Sequence, residues 1–229
     1  GEMLLRLQRY GVNFLRDKDK LQAHFSPGHS FPRVFQATSN KYPYSLQGMA
    51  ITQPLRKMAK DKGVKFLEGI NIYKLKKEKD QITGAWGLTK DGQQIAIQAK
   101  AVILTAGGCG QIFANNNNTN DITGNSYGLA QSVGANLKDM EFMQFYPTMM
   151  LKPLKIAVTT TLFSLGATLV NKEREVFITK YDPQKGHMTT RDITSRAIYM
   201  EIKEGKAIDG GVNLDCSKIP EKRLKENYP

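Results

Sequence analysis

A cluster of glycines near the middle of the chain is the first pattern that could support chemistry. An apolar run at residues 101–104 is closely followed by Gly107, Gly108 and Gly110, which predicts a buried strand that leads into a tight turn. Because glycine has no Cβ, main-chain amides in such a turn can come close to a phosphate or to the edge of a cofactor ring. We therefore treat this turn as a candidate ligand-binding segment.

Near the end of the chain, Arg191 lies at the predicted start of a helix. Thr189 or Thr190 can cap a helix that begins at this point, and Asp192 is favourable in its first turn. A guanidinium rarely gives up a proton, but its planar fork can hold a carboxylate at two points. The alternative interpretation is that Arg191 is solvated or paired with Asp192.

Apolar periodicity predicts the elements that position these residues. Alternation predicts a three-stranded meander at residues 70–75, 82–88 and 94–98, with turns at Lys79-Asp80 and Asp91-Gly92. Helical spacing of apolar residues predicts helices at residues 1–10, 47–62, 126–133, 193–205 and 221–227. Short strands are predicted at residues 64–67, 166–171 and 212–214, whereas the Thr-rich residues 158–165 are compatible with a strand or a loop.

The order of these motifs resembles the succinate dehydrogenase, fumarate reductase and L-aspartate oxidase flavoprotein family. Members carry a strand that ends in A-T-G-G, then T-G-D-G, a helix that ends in G-A, and D-M-E-F-x-Q-F-H-P-T. The matching segments here are residues 105–108, 123–125, 134–135 and 139–148. Further along, residues 166–171 resemble the family's G-G-x-L-V-N, and residues 190–197 resemble its S-R-D-[IV]-V-[SA]-R-A. Several linked matches in one order are far more specific than a lone pair of glycines.

The resemblance implies a fold of the α/β (α+β) class. A partial FAD-binding Rossmann-like domain with a β-meander would occupy residues 1–150, and a mixed α+β capping domain, itself incomplete, would occupy residues 151–229. The family's opening strand with G-x-G-x-x-G is absent. We therefore expect an internal piece of a longer flavoprotein, which would not bind FAD tightly by itself. In the parent protein the FAD contacts would be Thr105, Ala106, Gly107, Gly108, Gly110 and Asn125.

The resemblance also implies a flavin-dependent oxidoreductase that transfers hydride between FAD and a small, anionic, carboxylate-type substrate. Arg191 matches the arginine that acts as general acid or base in family members, and Tyr146 and Thr159 match substrate-binding positions.

Three positions depart from the family pattern. Tyr146 replaces a substrate-binding histidine, Thr160 replaces a glutamate of the proton relay, and Asn125 replaces an aspartate that meets the flavin. These losses leave Arg191 without an obvious proton source, and proton transfer typically contributes about 10²–10⁴-fold to a rate. The alternative function is therefore a catalytically degenerate binding or assembly module that retains the fold.

The composition is that of an ordinary globular protein and argues against several other functions. No apolar run reaches the roughly 20 residues of a membrane-spanning helix. The net charge is +12, but the lysines at residues 74–79 alternate with apolar and acidic residues, which favours a solvated strand face over a nucleic-acid site. Two cysteines without metal-ligand spacing indicate neither a disulfide framework nor a metal site.

The remaining expectations concern partners, location and single residues. We expect a cytoplasmic protein, peripheral at the inner membrane face, and the resemblance implies that its partner is an iron–sulfur protein that transfers electrons. Cys109 and Cys216 are interpreted as buried packing residues, and His24 and His187 as surface residues. His29 lies in a predicted loop that resembles the family's G-G-H-S-x-x-R, where it either stabilises the loop or lines the cofactor cleft.

Overall fold

A computed structural model describes residues 1–42, 46–153 and 155–227. Its contacts divide the chain into two compact units. Unit 1 contains Gly1–Val64 and Gln144–Pro229, and unit 2 contains Lys65–Met143. The functional boundary that the sequence predicts near residue 150 stays a prediction.

The helices and strands of the described residues follow in chain order. The helices are α1 (Glu2–Arg9), α2 (Met49–Asp61), α3 (Asn125–Ser132), α4 (Thr161–Leu165), α5 (Arg191–Lys203) and α6 (Glu221–Asn227). The strands are β1 (Arg16–Asp17), β2 (Lys20–Leu21), β3 (Ala23–His24), β4 (Val34–Phe35), β5 (Ile70–Glu78), β6 (Gln81–Thr89), β7 (Gln94–Gln98), β8 (Met149–Met150), β9 (Ile156–Ala157), β10 (Thr168–Val170) and β11 (Asn213–Asp215). None of these helices is long and apolar enough to cross a membrane.

Unit 2 is built on the predicted meander. Strands β5, β6 and β7 form one antiparallel sheet in that order, and Trp86 pairs with Lys74 on one side and with Ala96 on the other. Helix α3 lies beside β5, where Lys77 Nζ donates to the carbonyl of Val133, 3.0 Å away. The alternating pattern therefore predicts this sheet correctly, because each strand has one face to bury.

The larger core of unit 1 lies where α5 packs on the β10–β11 pair. Strands β10 and β11 are antiparallel, with Leu169 opposite Leu214. The cluster combines residues of α4, α5, β10 and the loops between them: Leu162, Phe163, Ala167, Leu169, Phe177, Ile178, Ala197 and Ile219. Cys216 packs against this cluster as predicted. This core fixes the position of α5, the helix that begins at Arg191.

A smaller core in unit 1 joins α2 to the loops after α1. It contains Val12, Phe14, Ala37 and Ala50. The predicted helices at residues 1–10 and 47–62 are confirmed as α1 and α2. The loop at residues 25–33 is also confirmed.

Two predicted strands are wrong. Residues 64–67 and 101–104 are irregular and largely exposed, with 86% of the Ile103 side chain accessible. A strand needs a neighbour that satisfies its N–H and C=O groups, and no ladder among the described residues includes either segment. Apolar sequence alone therefore does not make these segments strands in this chain.

The Thr-rich residues 158–165, for which the sequence favours a strand or a loop, contain the short helix α4 instead. Leu162 and Phe163 are both buried in the larger core, and Gly166, with a φ of 112°, ends the helix. A strand would send these two neighbouring side chains to opposite faces. Burial of both in one core therefore overrides the β preference of threonine.

Substitutions at two neighbouring residues, one buried and one exposed, test whether the larger core of unit 1 holds α5 in place. Phe177 is fully buried and meets the Tyr181 ring edge-on at 6.5 Å, whereas Val176 is 41% exposed. We expect Phe177→Ala to cost about 3–5 kcal/mol because it leaves a cavity, and Val176→Ala to change stability by only about 0.5 kcal/mol. Native-state hydrogen exchange of α5 in the full-length protein measures both. Equal effects of the two substitutions would show that this core does not hold α5.

Candidate functional site

Arg191 is the first residue of α5, directly after the N-cap Thr190. Asp192, its neighbour, accepts a 2.5 Å hydrogen bond from the Thr190 hydroxyl and pairs with Arg196 at 2.8 Å. The Thr190 hydrogen bond, followed by the charge of Arg196, holds the pKa of Asp192 below its usual value. The Asp192 carboxylate is therefore paired with Arg196, and the pairing of Arg191 with Asp192 that the sequence leaves open is not formed.

The Arg191 guanidinium instead contacts the segment that precedes β8. Its Nη1 donates to Gln144 Oε1 at 2.9 Å, and its Cζ lies 5.1 Å from the centre of the Tyr146 ring. A cation over an aromatic face is attracted by the ring quadrupole. No other hydrogen bond joins Arg191 to a described residue. The rest of its planar fork is thus available to a ligand.

Tyr146 connects Arg191 to the second predicted substrate-binding residue. The Tyr146 hydroxyl donates to the carbonyl of Val158 at 3.0 Å, and the Thr148 hydroxyl donates to the same carbonyl. Thr159 follows Val158 directly, and its Oγ1 accepts from the amide of Thr161 at 3.2 Å. The three predicted substrate-side residues, Arg191, Tyr146 and Thr159, therefore lie in one neighbourhood of unit 1.

The position that the resemblance assigns to a relay carboxylate is occupied by a packing residue. Thr160 is buried and is the N-cap of α4. Its hydroxyl cannot replace a titratable carboxyl group as a proton carrier near neutral pH. The loss of the relay that the sequence indicates stays a prediction.

The loop that contains His29 docks next to the start of α5. The amide of Gly28 donates to the carbonyl of Met188 at 2.8 Å. His29 Nδ1 accepts a long 3.4 Å hydrogen bond from Arg33 Nε, within the same loop. This contact supports the loop-stabilising interpretation of His29.

His187 is not a surface residue, so the sequence-based interpretation is wrong. Its Nε2 accepts a 2.7 Å hydrogen bond from the amide of Leu169, and its ring lies 5.4 Å from that of Phe163. Burial lowers the pKa of His187. In the sequence, His187 lacks the spacing to a metal partner. The same spacing gives no sign that the main-chain amide of Leu169, 18 residues earlier, donates to the imidazole.

Gln144 is a site residue that sequence reasoning missed. The only signal was its place inside the matched segment at residues 139–148. Side-chain amides are common on protein surfaces, and nothing in the local pattern says that this one faces an arginine 47 residues away.

The candidate cofactor residues lie together in unit 2. The amide of Gly124 donates to the carbonyl of Gly108 at 3.1 Å, which joins the first glycine turn to the start of α3. Asn125 is the first residue of α3 and is exposed. The main-chain amides of residues 105–110 make no hydrogen bond to any described residue. These donors are Thr105, Ala106, Gly107, Gly108, Cys109 and Gly110.

One glycine of this region, Gly124, is required by the turn itself, whereas Gly110 only lies against the exposed side chain of Asn118. A Cβ on Gly124, which has a φ of 81°, would lie 2.7 Å from the Cβ of Cys109. A Cβ on Gly110 would lie 2.1 Å from the side-chain amide nitrogen of Asn118. The backbone at Gly124 therefore lies close to Cys109, which is half-buried. A turn with unpaired, accessible amides fits a cofactor that is held through the main chain.

Comparison with known proteins gives a consistent result. A family model described as "FAD binding domain" matches residues 1–229. An uncharacterized FAD-dependent oxidoreductase from Methanocaldococcus jannaschii is 35% identical over 226 residues, which are 97% of this chain and 41% of that protein. One of the subunits of the CoM/CoB fumarate reductase from Methanothermobacter marburgensis is 32% identical over 232 residues, 98% of this chain and 41% of that protein. The chain thus spans about two fifths of the length of these relatives.

A solved structure supports the fold. A mutant quinol fumarate reductase from E. coli matches with a TM-score of 0.87 over 99% of this chain and 40% of that one, at 23% identity. The predicted α+β fold class is confirmed by this match.

Substitutions at two glycines of the same region test whether the glycine turn binds the flavin. Gly124→Ala introduces a Cβ where both the backbone angle and Cys109 oppose it, whereas a Cβ on Gly128 in α3 meets nothing within 4 Å. We expect full-length Gly124→Ala protein to purify with less than about half of the wild-type flavin, because its turn is distorted. The Gly128→Ala variant should keep its flavin. The measurement is flavin absorbance per mole of protein after gel filtration, and full occupancy in Gly124→Ala would contradict the assignment.

Proposed function

Since this chain belongs to the FAD binding domain family, whose model spans all 229 of its residues, we propose that its parent protein is a fumarate reductase- or succinate dehydrogenase-type flavoenzyme. FAD is the cofactor of that parent, and the family resemblance seen in the sequence is confirmed. The reaction we propose is hydride transfer between the flavin and a small dicarboxylate or α,β-unsaturated acid. The substrate, the activity and the partners of the whole protein are our proposal.

The observation that carries this proposal is the way in which the Arg191 guanidinium is held, with part of it left free. It is fixed by the Gln144 amide on one side and by the face of the Tyr146 ring on another. A guanidinium whose remaining N–H groups form a planar fork is suited to two-point binding of a carboxylate. We assign this role of carboxylate clamp to Arg191.

The other residues would support the clamp in different ways. When bound, FAD supplies the redox chemistry, and the protein binds and orients the substrate. The Tyr146 hydroxyl already donates to Val158, so Tyr146 would act on the substrate through Arg191, by excluding water from one face of the guanidinium. The Thr159 hydroxyl would orient the substrate at its other end. The amides of residues 105–110 would hold the flavin.

The proton step is the part of the reaction that these residues support least. Thr160 is buried at the position that the resemblance assigns to the relay carboxylate. Among the described residues, that position therefore gives Arg191 no carboxylate that could relay a proton. We therefore propose that Arg191 binds and orients the substrate and that protonation is slower than in proteins with a full relay. The rate deficit would be about 10²–10⁴-fold if no other acid takes over.

A binding or assembly module without catalysis is the competing function. It is favoured by the loss of titratable groups at Tyr146, Thr160 and Asn125. The colour of the full-length protein and the reactivity of its flavin distinguish the two functions. An enzyme should purify yellow, and its chemically reduced flavin should be reoxidised by fumarate under anaerobic conditions. A protein that binds no flavin, or whose flavin ignores such acids, would be the module.

Two further proposals concern the setting of the enzyme. We propose that an iron–sulfur protein is its electron partner, in line with a relative that is itself one of the subunits of a CoM/CoB fumarate reductase. We also propose a cytoplasmic location with peripheral association at the inner membrane face. Co-purification with a protein that contains iron and labile sulfide would support the first proposal.

Arg191 and Arg196 provide a matched test of the clamp. Both arginines are exposed and lie on the same helix, but Arg196 pairs with Asp192 on the surface. We expect Arg191→Ala to lower fumarate turnover of the full-length enzyme by at least about 10²-fold with its flavin retained, and Arg196→Ala to leave turnover within about twofold, since exposed ion pairs contribute little. Arg191→Lys should recover little, because an ammonium cannot reproduce the planar fork. Unchanged turnover in Arg191→Ala would remove this residue from the mechanism.

A further inference from the structure

Hydrogen bonds to three other parts of the chain help to hold the segment that leads into α5 in place. We call residues 186–191 the arginine segment. The amide of Leu169 donates to His187 Nε2 at 2.7 Å, the Thr189 hydroxyl donates to Asp182 Oδ2 at 2.5 Å, and the amide of Gly28 donates to the carbonyl of Met188. These contacts tie the arginine segment to β10, to a preceding turn and to the His29 loop. They precede Arg191 by only a few residues, so they fix where α5 starts.

His187 is the member of this set whose hydrogen bond depends on pH near neutrality. Its Nε2 can accept from Leu169 only while the imidazole is neutral, with its proton on Nδ1. Protonation would place an N–H against the N–H of Leu169, and the bond would be lost. The Asp182 carboxylate, in contrast, stays ionised, because the hydrogen bond from Thr189 and the amide of Lys185 lower its pKa.

The surroundings of His187 favour the neutral imidazole. Helix α4 supplies the ring of Phe163, and neither α4 nor β10 carries a titratable side chain. The 3-10 turn Ile178–Lys180 that packs nearby carries Lys180, whose Nζ pairs with Glu175 at 2.9 Å. The histidine's own turn contributes Lys185 and Asp182. Burial lowers the pKa of His187, so the imidazole is largely neutral at neutral pH.

We propose that His187 is a positioning residue for Arg191: its neutral imidazole fastens the arginine segment to β10, and protonation breaks this one hydrogen bond and loosens the segment. The hydrogen bond between Leu169 and His187 lies within unit 1. Its effect on substrate binding rests on the proposed function. No residue outside unit 1 is needed for it. The interaction differs from the core contacts of α5, because it can be switched by one proton.

The direction of the pH effect follows from the lowered pKa. A histidine whose folded-state pKa lies below its unfolded value binds its proton more readily in the unfolded or released state. The stabilisation by His187 is therefore fully present above the ordinary histidine pKa, about 6.5. It is lost as the pH falls from there through the lowered folded-state pKa. Acid should loosen the arginine segment, and alkali should not.

The test uses the full-length protein and two variants. His187→Gln can present an amide oxygen near the position of Nε2 and does not titrate, whereas His187→Leu keeps the bulk but has no acceptor. Hydrogen exchange of peptides that cover residues 168–171 and 186–196 reports the fastening directly, after correction for the intrinsic pH dependence of exchange. The KM for fumarate, with a reduced viologen dye as electron donor, reports the consequence for substrate binding.

We expect wild-type exchange in both peptides to accelerate by about three- to tenfold between about pH 7.5 and pH 5.5, in line with loss of one hydrogen bond. His187→Gln should remain slow at both pH values, and His187→Leu should be fast at both. The KM for fumarate should follow the same order, while exchange in the β5–β7 sheet stays unchanged.

Several outcomes would overturn the proposal. Slow, wild-type-like exchange in His187→Leu would show that Leu169 needs no acceptor, and equal acid sensitivity of wild type and His187→Gln would assign the pH effect to another group. Faster exchange in His187→Leu without any change in KM would reduce His187 to a stability role. If the wild type does not act on fumarate at all, the proposed function fails. The exchange data alone then show whether His187 holds the arginine segment against β10. If His187→Leu does not fold, the comparison of wild type with His187→Gln across pH decides it.

Discussion

The candidate site depends on one interaction, in which the Gln144 amide holds the Arg191 guanidinium against the face of Tyr146. An exposed arginine on a helix start would otherwise sample many rotamers and lose much of its binding energy to side-chain entropy. The contacts from a segment 47 residues away reduce this loss and leave part of the planar fork free. The larger core of unit 1, the α4 helix and the arginine segment all serve to keep this geometry.

The cofactor side relies on a different constraint, the absence of Cβ atoms. Gly124 allows the turn at residues 105–110 to fold onto the start of α3, with Cys109 packed against it. The amides of that turn have no hydrogen-bond partner among the described residues. The proposed carboxylate clamp in unit 1 depends on side chains, whereas the proposed flavin contacts in unit 2 depend on the main chain. Substitutions in one should leave the other intact.

The sequence predicted the elements whose own pattern decides their structure. The meander at β5–β7, the helices α1, α2, α3 and α5, and the glycine motifs follow from alternation, helical spacing and turn residues. The failures have a common cause, which is dependence on distant partners. Residues 101–104 have no neighbouring strand in the part of the chain that the structure describes. Helix α4 forms because Leu162 and Phe163 share one core, and the His187 imidazole is held by the amide of Leu169. Gln144 was missed for the same reason, since only the folded chain shows what its amide contacts.

The decisive measurement is a crystal structure of the full-length protein with FAD and a dicarboxylate such as fumarate. We expect a substrate carboxylate within about 3 Å of a guanidinium nitrogen of Arg191, with the Tyr146 ring still beneath the guanidinium. We also expect the flavin edge against the amides of residues 105–110. A dicarboxylate bound elsewhere, with Arg191 directed into bulk solvent, would contradict the proposed clamp.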